Sequence, residues 1–147
     1  MINRELINPQ SIVVVGGSNN VHKPGGRLVR NLLDGKYKGE LYVVNAKEDD
    51  VQGLKSYHSV HDIPETELAI ISIPGPACPE AVDVLAKQKN VKAFIVISAG
   101  FGEETHEGAI LEEQMLKSIN EAGASLIGPN CIGLMNMHYH GVFTQPI

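Results

Sequence analysis

The sequence predicts an α/β fold built on a doubly wound, mostly parallel sheet. Three observations carry that prediction. Short apolar, β-branched runs alternate with segments whose apolar residues recur at helical spacing, and strands separated by helices pair in parallel through right-handed crossovers. The first strand runs directly into glycines and then a helix, in VVVGGSNNVHKPGGRLVRNLL, residues 13 to 33. Finally, 147 residues with 43% hydrophobic content and no low-complexity run suit one domain with a real core.

Each element has its local reason. Ser11 to Val15 is apolar on both faces, as a buried parallel strand must be. Gly25 to Leu33 places Leu28, Val29, Leu32 and Leu33 on one helical stripe, and Gly35 closes it. Leu41 to Asn45 is the second strand; a polar stretch, AKEDDVQG, follows, with a minor strand around Leu54 to Tyr57 and a single helical turn over Ser59 to Ile63. Leu68 to Pro74 is the third strong strand. Pro79 then falls in a helix's first turn, Val82, Leu85 and Ala86 form its stripe, and Lys87 and Lys89 sit at its negative end. Val91 to Ser98 is the fourth strand. Glu103, Glu104 and Glu107 precede a helix with Leu111, Met115, Ile119 and Ala122 on one face and Gly123 as its stop, after which SLIGPN begins a fifth strand.

Composition excludes several function classes. No apolar run reaches the length of a membrane span, and MINRELINPQ lacks the core of a signal peptide, so a soluble, unexported, cytoplasmic chain is expected. Two cysteines, Cys78 and Cys131, make neither a disulfide framework nor a metal motif. A net charge of −5 argues against nucleic acid as a partner, because that affinity rests on neutralising many phosphates. The charge is unevenly spread. Up to Lys47 there are seven basic residues against three acids, and beyond it five against fourteen. Arg30, Lys36 and Lys38 read as a solvated helix face, whereas Lys23 and Lys47 fall where a strand hands over to the next element.

In such a sheet ligands sit at the carboxyl ends of the strands. Five strand exits are rich in Gly, Pro, Ser and Asn: residues 16–20, 45–47, 73–76, 98–101 and 128–131. Their backbones can approach a ligand closely and offer N–H groups. The second exit bears on the ligand's identity. A fold reading NAD places Asp or Glu there to bind ribose hydroxyls, and here Asn45, Ala46 and Lys47 stand instead. A lysine favours a ribose that carries phosphate, as in NADP or coenzyme A. The first loop, longer than the G-x-G-x-x-G fingerprint, suits a diphosphate placed differently from that of NAD.

The runs VVVGGSNNVHKPGGRLVRNLL, VVNAKEDDVQGLKSYHSVHDIPE, IISIPGPACPEAV, VISAGFGEE and LIGPNCIGLMN together resemble the CoA-binding domain of NDP-forming acyl-CoA synthetases, relatives of the succinyl-CoA synthetase α subunit, over about residues 5 to 145. The resemblance implies a Rossmann-like domain that binds coenzyme A. It also implies partners: a following flavodoxin-like domain with a phosphorylated histidine, and an ATP-grasp domain or subunit. The implied reaction converts acyl-CoA, phosphate and ADP reversibly into acid, CoA and ATP, through an acyl phosphate and a phosphohistidine. Residues 1–147 then form a single CoA-binding domain, the N-terminal part of a longer ligase, not expected to turn over alone.

By position, the resemblance puts Gly16, Gly17, Ser18, Asn19 and Asn20 around the nucleotide and phosphates, with Lys23 beside them. Asn45 and Lys47 follow at the second exit, Lys47 supplying charge to a CoA phosphate. Ile73 and Pro74 border the adenine or pantetheine path, and Ser98, Ala99 and Gly100 lie under the pantetheine. Asn130 and Cys131, with Gly128 and Pro129, line the region where the thiol meets the acyl phosphate. Ile132 replaces the proline of the succinyl-CoA α subunit, as in the acetyl-CoA branch. No catalytic residue and no metal site are expected. None of the six histidines matches the phosphohistidine motif, and His138 with His140 lacks a third ligand. Nothing in the sequence shows a base to activate Cys131. Two alternatives stay open, a non-catalytic module sensing CoA or acyl-CoA and, less favoured, an NADP-binding oxidoreductase domain. Apolar surface left for partner domains could also drive a weak homodimer.

Overall fold

The β-branched runs become the parallel centre of a seven-stranded sheet in a computed structural model that describes residues 2–98, 106–128, 133–135 and 138–143. The strands are β1 (Ser11–Val15), β2 (Glu40–Val44), β3 (Asp50–Val51), β4 (Leu54–Tyr57), β5 (Leu68–Ile71), β6 (Ala93–Val96) and β7 (Ser125–Ile127), in the order β3-β4-β2-β1-β5-β6-β7. Every neighbour pairs in parallel except β3, which lies antiparallel to β4. Val14 stands opposite Val43 on one side and Ile70 on the other. The chain grows outward from β1 in one direction and then, through β5, in the other, which puts the topological switch point at the β1 and β5 exits.

Among the described residues four α-helices accompany the sheet: α1 (Arg4–Ile7), α2 (Pro24–Asp34), α3 (Cys78–Gln88) and α4 (His106–Glu121). Side-chain alternation along each strand divides the core in two. Ile12, Val14, Leu68, Ile70 and Ile95 pack with Leu28, Val29 and Leu32 of α2. Val13, Val15, Ile71, Phe94 and Val96 pack with Val82 and Leu85 of α3 and with Met115 and Ile119 of α4. All of these side chains are buried, each contributing about 1.5–3 kcal/mol of apolar transfer.

The expected elements are present with shifted ends. The first helix begins at Pro24, one residue ahead of the glycine pair, and Gly35 caps it. The single turn forms at Val60–Asp62, with the Ser59 hydroxyl accepting from the His61 N–H. Strands two, three and four stop one to three residues early, at Val44, Ile71 and Val96 rather than at Asn45, Pro74 and Ser98. Pro74 has no N–H to continue a ladder, and the chain there already turns into the short helical segment Gly75–Ala77.

Three elements correct the sequence reading. The polar stretch before Leu54 contains β3, joined to β4 through Gln52 and Gly53, both at positive φ (51° and 90°), the geometry of a tight hairpin turn. Arg4–Ile7 is a helix of one turn, capped by the Asn3 side chain. The C-terminal segment forms an antiparallel hairpin of β8 (Gly133–Met135) and β9 (His140–Val142), which the Asn31 amide ties to α2 by donating to the Val142 carbonyl at 2.8 Å.

Candidate functional site at the carboxyl edge of the sheet

The glycine turn holds α2 tightly against β1. Gly16 has φ +94°, and a Cβ on it would run into the Ser72 carbonyl at the β5 exit. A Cβ on Gly25 would meet the Gly16 carbonyl, and one on Gly26 the Asn20 carbonyl. The glycine pair after Pro24 thus does the close-packing work of the third glycine in a shorter dinucleotide loop.

Residues 18–22 form a self-braced bridge. The Ser18 hydroxyl accepts from the Asn20 N–H and the Asn20 side chain accepts from the His22 N–H, both at 3.0 Å. Asn19 donates to the Asp50 carbonyl at 2.8 Å and accepts from the Gln52 N–H at 2.7 Å. Gln52 in turn donates to the carbonyls of Ser18 and Gly26, each at 2.9 Å. The β3–β4 hairpin therefore clamps the loop to the start of α2. Asn45 is organised alike. Its amide donates to the Gly17 carbonyl at 2.8 Å, while its Oδ1 accepts from the N–H groups of Lys47 (2.9 Å) and Glu48 (3.0 Å). This Asx turn redirects the chain after β2.

Between these exits lies a cleft of about 510 Å³. Gly16 and Lys23 line it from the first loop, Asn45 and Lys47 from the β2 exit, and Ile73 from the β5 exit. Val15, Val44 and Val60 add apolar surface, and Ala77, Glu80 and Ala81 close it from the start of α3. Neither α2 nor α3 carries a side-chain cap at its N-terminus; at α3 the Ala77 and Cys78 N–H groups already donate to the Pro74 and Gly75 carbonyls, so it is the start of α2 that is open to an anion. Lys23 and Lys47 take part in no ion pair among the described residues. Two cations and an uncapped α2 thus face one concavity with apolar walls.

A larger cavity, about 700 Å³, opens at the opposite edge among Asn8, Gln10, Lys36, Tyr37, Lys38 and His138. It lies beyond the C-terminus of α2, where the helix end is negative, and Tyr37 already donates to the Pro9 carbonyl at 2.7 Å. Size alone would favour it. For an anion, the electrostatics favour the smaller cleft.

Of the residues singled out from the sequence, Gly16, Lys23, Asn45, Lys47 and Ile73 line the cleft together. Gly17 is buried, with the Val43 and Val29 side chains where a Cβ would go. Ser18, Asn19 and Asn20 brace the loop. Pro74 is exposed beside the cleft, and Ser98 lies beneath it, accepting from the Ile73 N–H at 3.0 Å and donating to the Ile71 carbonyl at 3.4 Å. Cys78 is buried against the Ile73 and Pro74 carbonyls, and burial pushes its thiol up, against the hydrogen bond from Ser98 that lowers it. Ala99, Gly100, Asn130 and Cys131, with Pro129, lie outside the described residues. His58, Ser59, His61 and Glu80 line the cleft without having been singled out. Their signal was available: residues 58–61 follow β4, whose exit shares the same edge.

The sequence pattern of the family described as "CoA binding domain" matches residues 10–137. This chain belongs to that family. The CoA-binding domain is 40% identical over 135 residues to the α subunit of acetate–CoA ligase (ADP-forming) II of Pyrococcus furiosus, covering 90% of this chain and 29% of that protein. It is 39% identical over 134 residues to acetate–CoA ligase (ADP-forming) II of Archaeoglobus fulgidus, again over 90% of this chain but 20% of the relative. Among solved structures, the apo dinucleotide-forming acetyl-coenzyme A synthetase 1 of Candidatus Korarchaeum cryptofilum superposes with a TM-score of 0.88 at 33% identity, over 97% of this chain and 31% of that one. The chain therefore spans less than a third of the length of these relatives.

Proposed function

We propose that the cleft at the carboxyl edge binds coenzyme A, and that this chain is the CoA-binding part of an ADP-forming acyl-CoA synthetase. Family membership supports the ligand class. The observation that carries the site assignment is Lys47 sharing one cleft with Gly16 and Lys23, where an NAD-reading fold would present a carboxylate. A phosphorylated ribose satisfies that lysine. The uncapped start of α2, reached through backbone that glycine keeps clear, suits a diphosphate. The apolar walls from Val44, Val60 and Ile73 suit an adenine ring.

The chemistry proposed for the whole enzyme is reversible conversion of acyl-CoA, phosphate and ADP into acid, CoA and ATP. This chain's share is to hold and orient the coenzyme; the phosphohistidine and nucleotide steps belong to a flavodoxin-like partner and an ATP-grasp partner. The greater length of the relatives supports such partners. A weak homodimer through surface those partners would cover belongs to the same reading. Calorimetric titration with CoA and with 3′-dephospho-CoA tests it. Saturable binding that weakens about tenfold without the 3′-phosphate, the loss of one charged contact, is expected. Absence of heat at millimolar CoA would overturn the function, and equal affinities would remove the role given to Lys47.

A further inference from the structure

The β4 exit holds a histidine–carboxylate contact that the account so far leaves without a task. Tyr57 pairs in register with Val44, and the Asn45 N–H donates to the Tyr57 carbonyl at 2.9 Å, so His58 and the Asn45–Lys47 turn leave the sheet side by side. His58 Nε2 stands 2.8 Å from Asp49 Oδ1, and His58 lines the same cleft as Lys47. The pair is open to water, its side chains 52% and 91% exposed, and a pair that exposed contributes little to folding. What it does supply is orientation. With Nε2–H directed to the carboxylate, Nδ1 is left for a ligand. In the cation Nδ1 is a second donor; in the neutral ring it is an acceptor.

Resting on the cleft being the CoA site, we propose that His58, oriented by Asp49, acts beside Lys47 as the reader of the ribose 3′ position of coenzyme A. The imidazolium donates Nδ1–H to the 3′-phosphate. The neutral ring loses that contact and instead accepts from a ribose hydroxyl, which 3′-dephospho-CoA offers. Selectivity for the phosphorylated coenzyme is therefore proton-linked, since imidazole changes charge between pH 5 and 8. The charged groups sharing this space are Asp49 and Lys47 from the segment after β2, Lys23 at the start of α2, His61 from the helical turn Val60–Asp62 that follows β4, and Glu80 on α3.

Affinities of the full chain for CoA and 3′-dephospho-CoA, measured at pH 6 and pH 8, test the proposal. In the unaltered chain the ratio of the two should fall about tenfold as the pH rises, the loss of one charge-assisted hydrogen bond. His58→Gln should flatten that fall to within about twofold, the size of a neutral contact's variation. Asp49→Ala, which releases the ring from its orienting contact, should shrink the fall in the same direction. The phosphate's own titration is common to all the proteins and cancels in the comparison between variants. Retention of the full pH dependence in His58→Gln, or its loss in His61→Gln alone, would overturn the proposal. Failure of the unaltered chain to bind CoA would instead overturn the cleft assignment, and this proposal with it.

Discussion

The two edges of the sheet handle charge in opposite ways. At the amino edge polar groups are matched to each other. Arg4 makes a two-pronged contact with Glu67, both bonds at 2.8 Å, and Glu67 also accepts from the Gln10 N–H. Asn3 donates to the Lys92 carbonyl, the Lys92 ammonium to the Ala122 carbonyl, and Tyr139 to the Leu6 carbonyl. At the carboxyl edge Lys23 and Lys47 line a cleft without an ion pair to any described residue, Glu80 on its far wall included, beside helix starts that no side chain caps. The first set of groups is satisfied within the chain, although Lys36 and Lys38 line an open cavity nearby. The carboxyl edge presents positive potential that a ligand must complete.

Substitutions should separate the edges. The largest effect is expected from Gly25→Val, whose side chain cannot coexist with the Gly16 carbonyl; denaturant unfolding should show a loss of at least about 3 kcal/mol, and CoA binding should go with it. Lys47→Glu should lower CoA affinity about 100-fold by replacing attraction with repulsion while leaving the melting temperature in place. Lys36→Glu, at the opposite cavity, should change affinity less than twofold, within the small effect of a distant screened charge. Tyr139→Phe removes the 2.6 Å hydrogen bond to the Leu6 carbonyl and should cost about 1 kcal/mol of stability without altering CoA affinity.

The smallest effect concerns pH. The hydrogen bonds from Arg4 hold the Glu67 carboxyl below its usual range, against the opposing effect of burial. Because the folded value is depressed, the stability it contributes is fully present above the unfolded carboxylate value and is lost as the pH falls through the folded one. Glu67→Gln should therefore be slightly less stable than the parent at neutral pH, and the difference should close in acid. Stability curves at several pH values would check this, and CoA affinity should not follow them.

How far the sequence reaches follows the same division. β1, β5 and β6 were legible because a strand buried on both faces must be apolar throughout, β2 because Leu41–Val44 is apolar even though its first half is only partly buried, and α2 because its stripe and the closing Gly35 agree. The hairpin strand β3 was not, since two residues carry no periodicity and its turn is set by Gln52 and Gly53 at positive φ. α1 was not legible either. It is one turn long and is held by Glu67 and Tyr139, distant in sequence. At the site, Gly16 and Lys47 announced themselves by residue type at a strand end. Ser18, Asn19 and Asn20 carry the right chemistry for a phosphate loop, yet their side chains hold the loop together, which depends on β3. His58, His61 and Glu80 were missed because β4 was read as a minor strand and the start of α3 only through Pro79 in its first turn, so neither was placed on the cleft wall.

The contrast between the edges is tested most directly by following backbone amide resonances during a CoA titration. The account predicts saturable shifts at Gly16, Gly25, Gly26, Lys47 and Ile73, with Gln10, Lys36 and Gly39 unmoved. Shifts clustered around Asn8, Lys36 and Gly39, with the glycine turn silent, would contradict it and put the ligand at the amino edge.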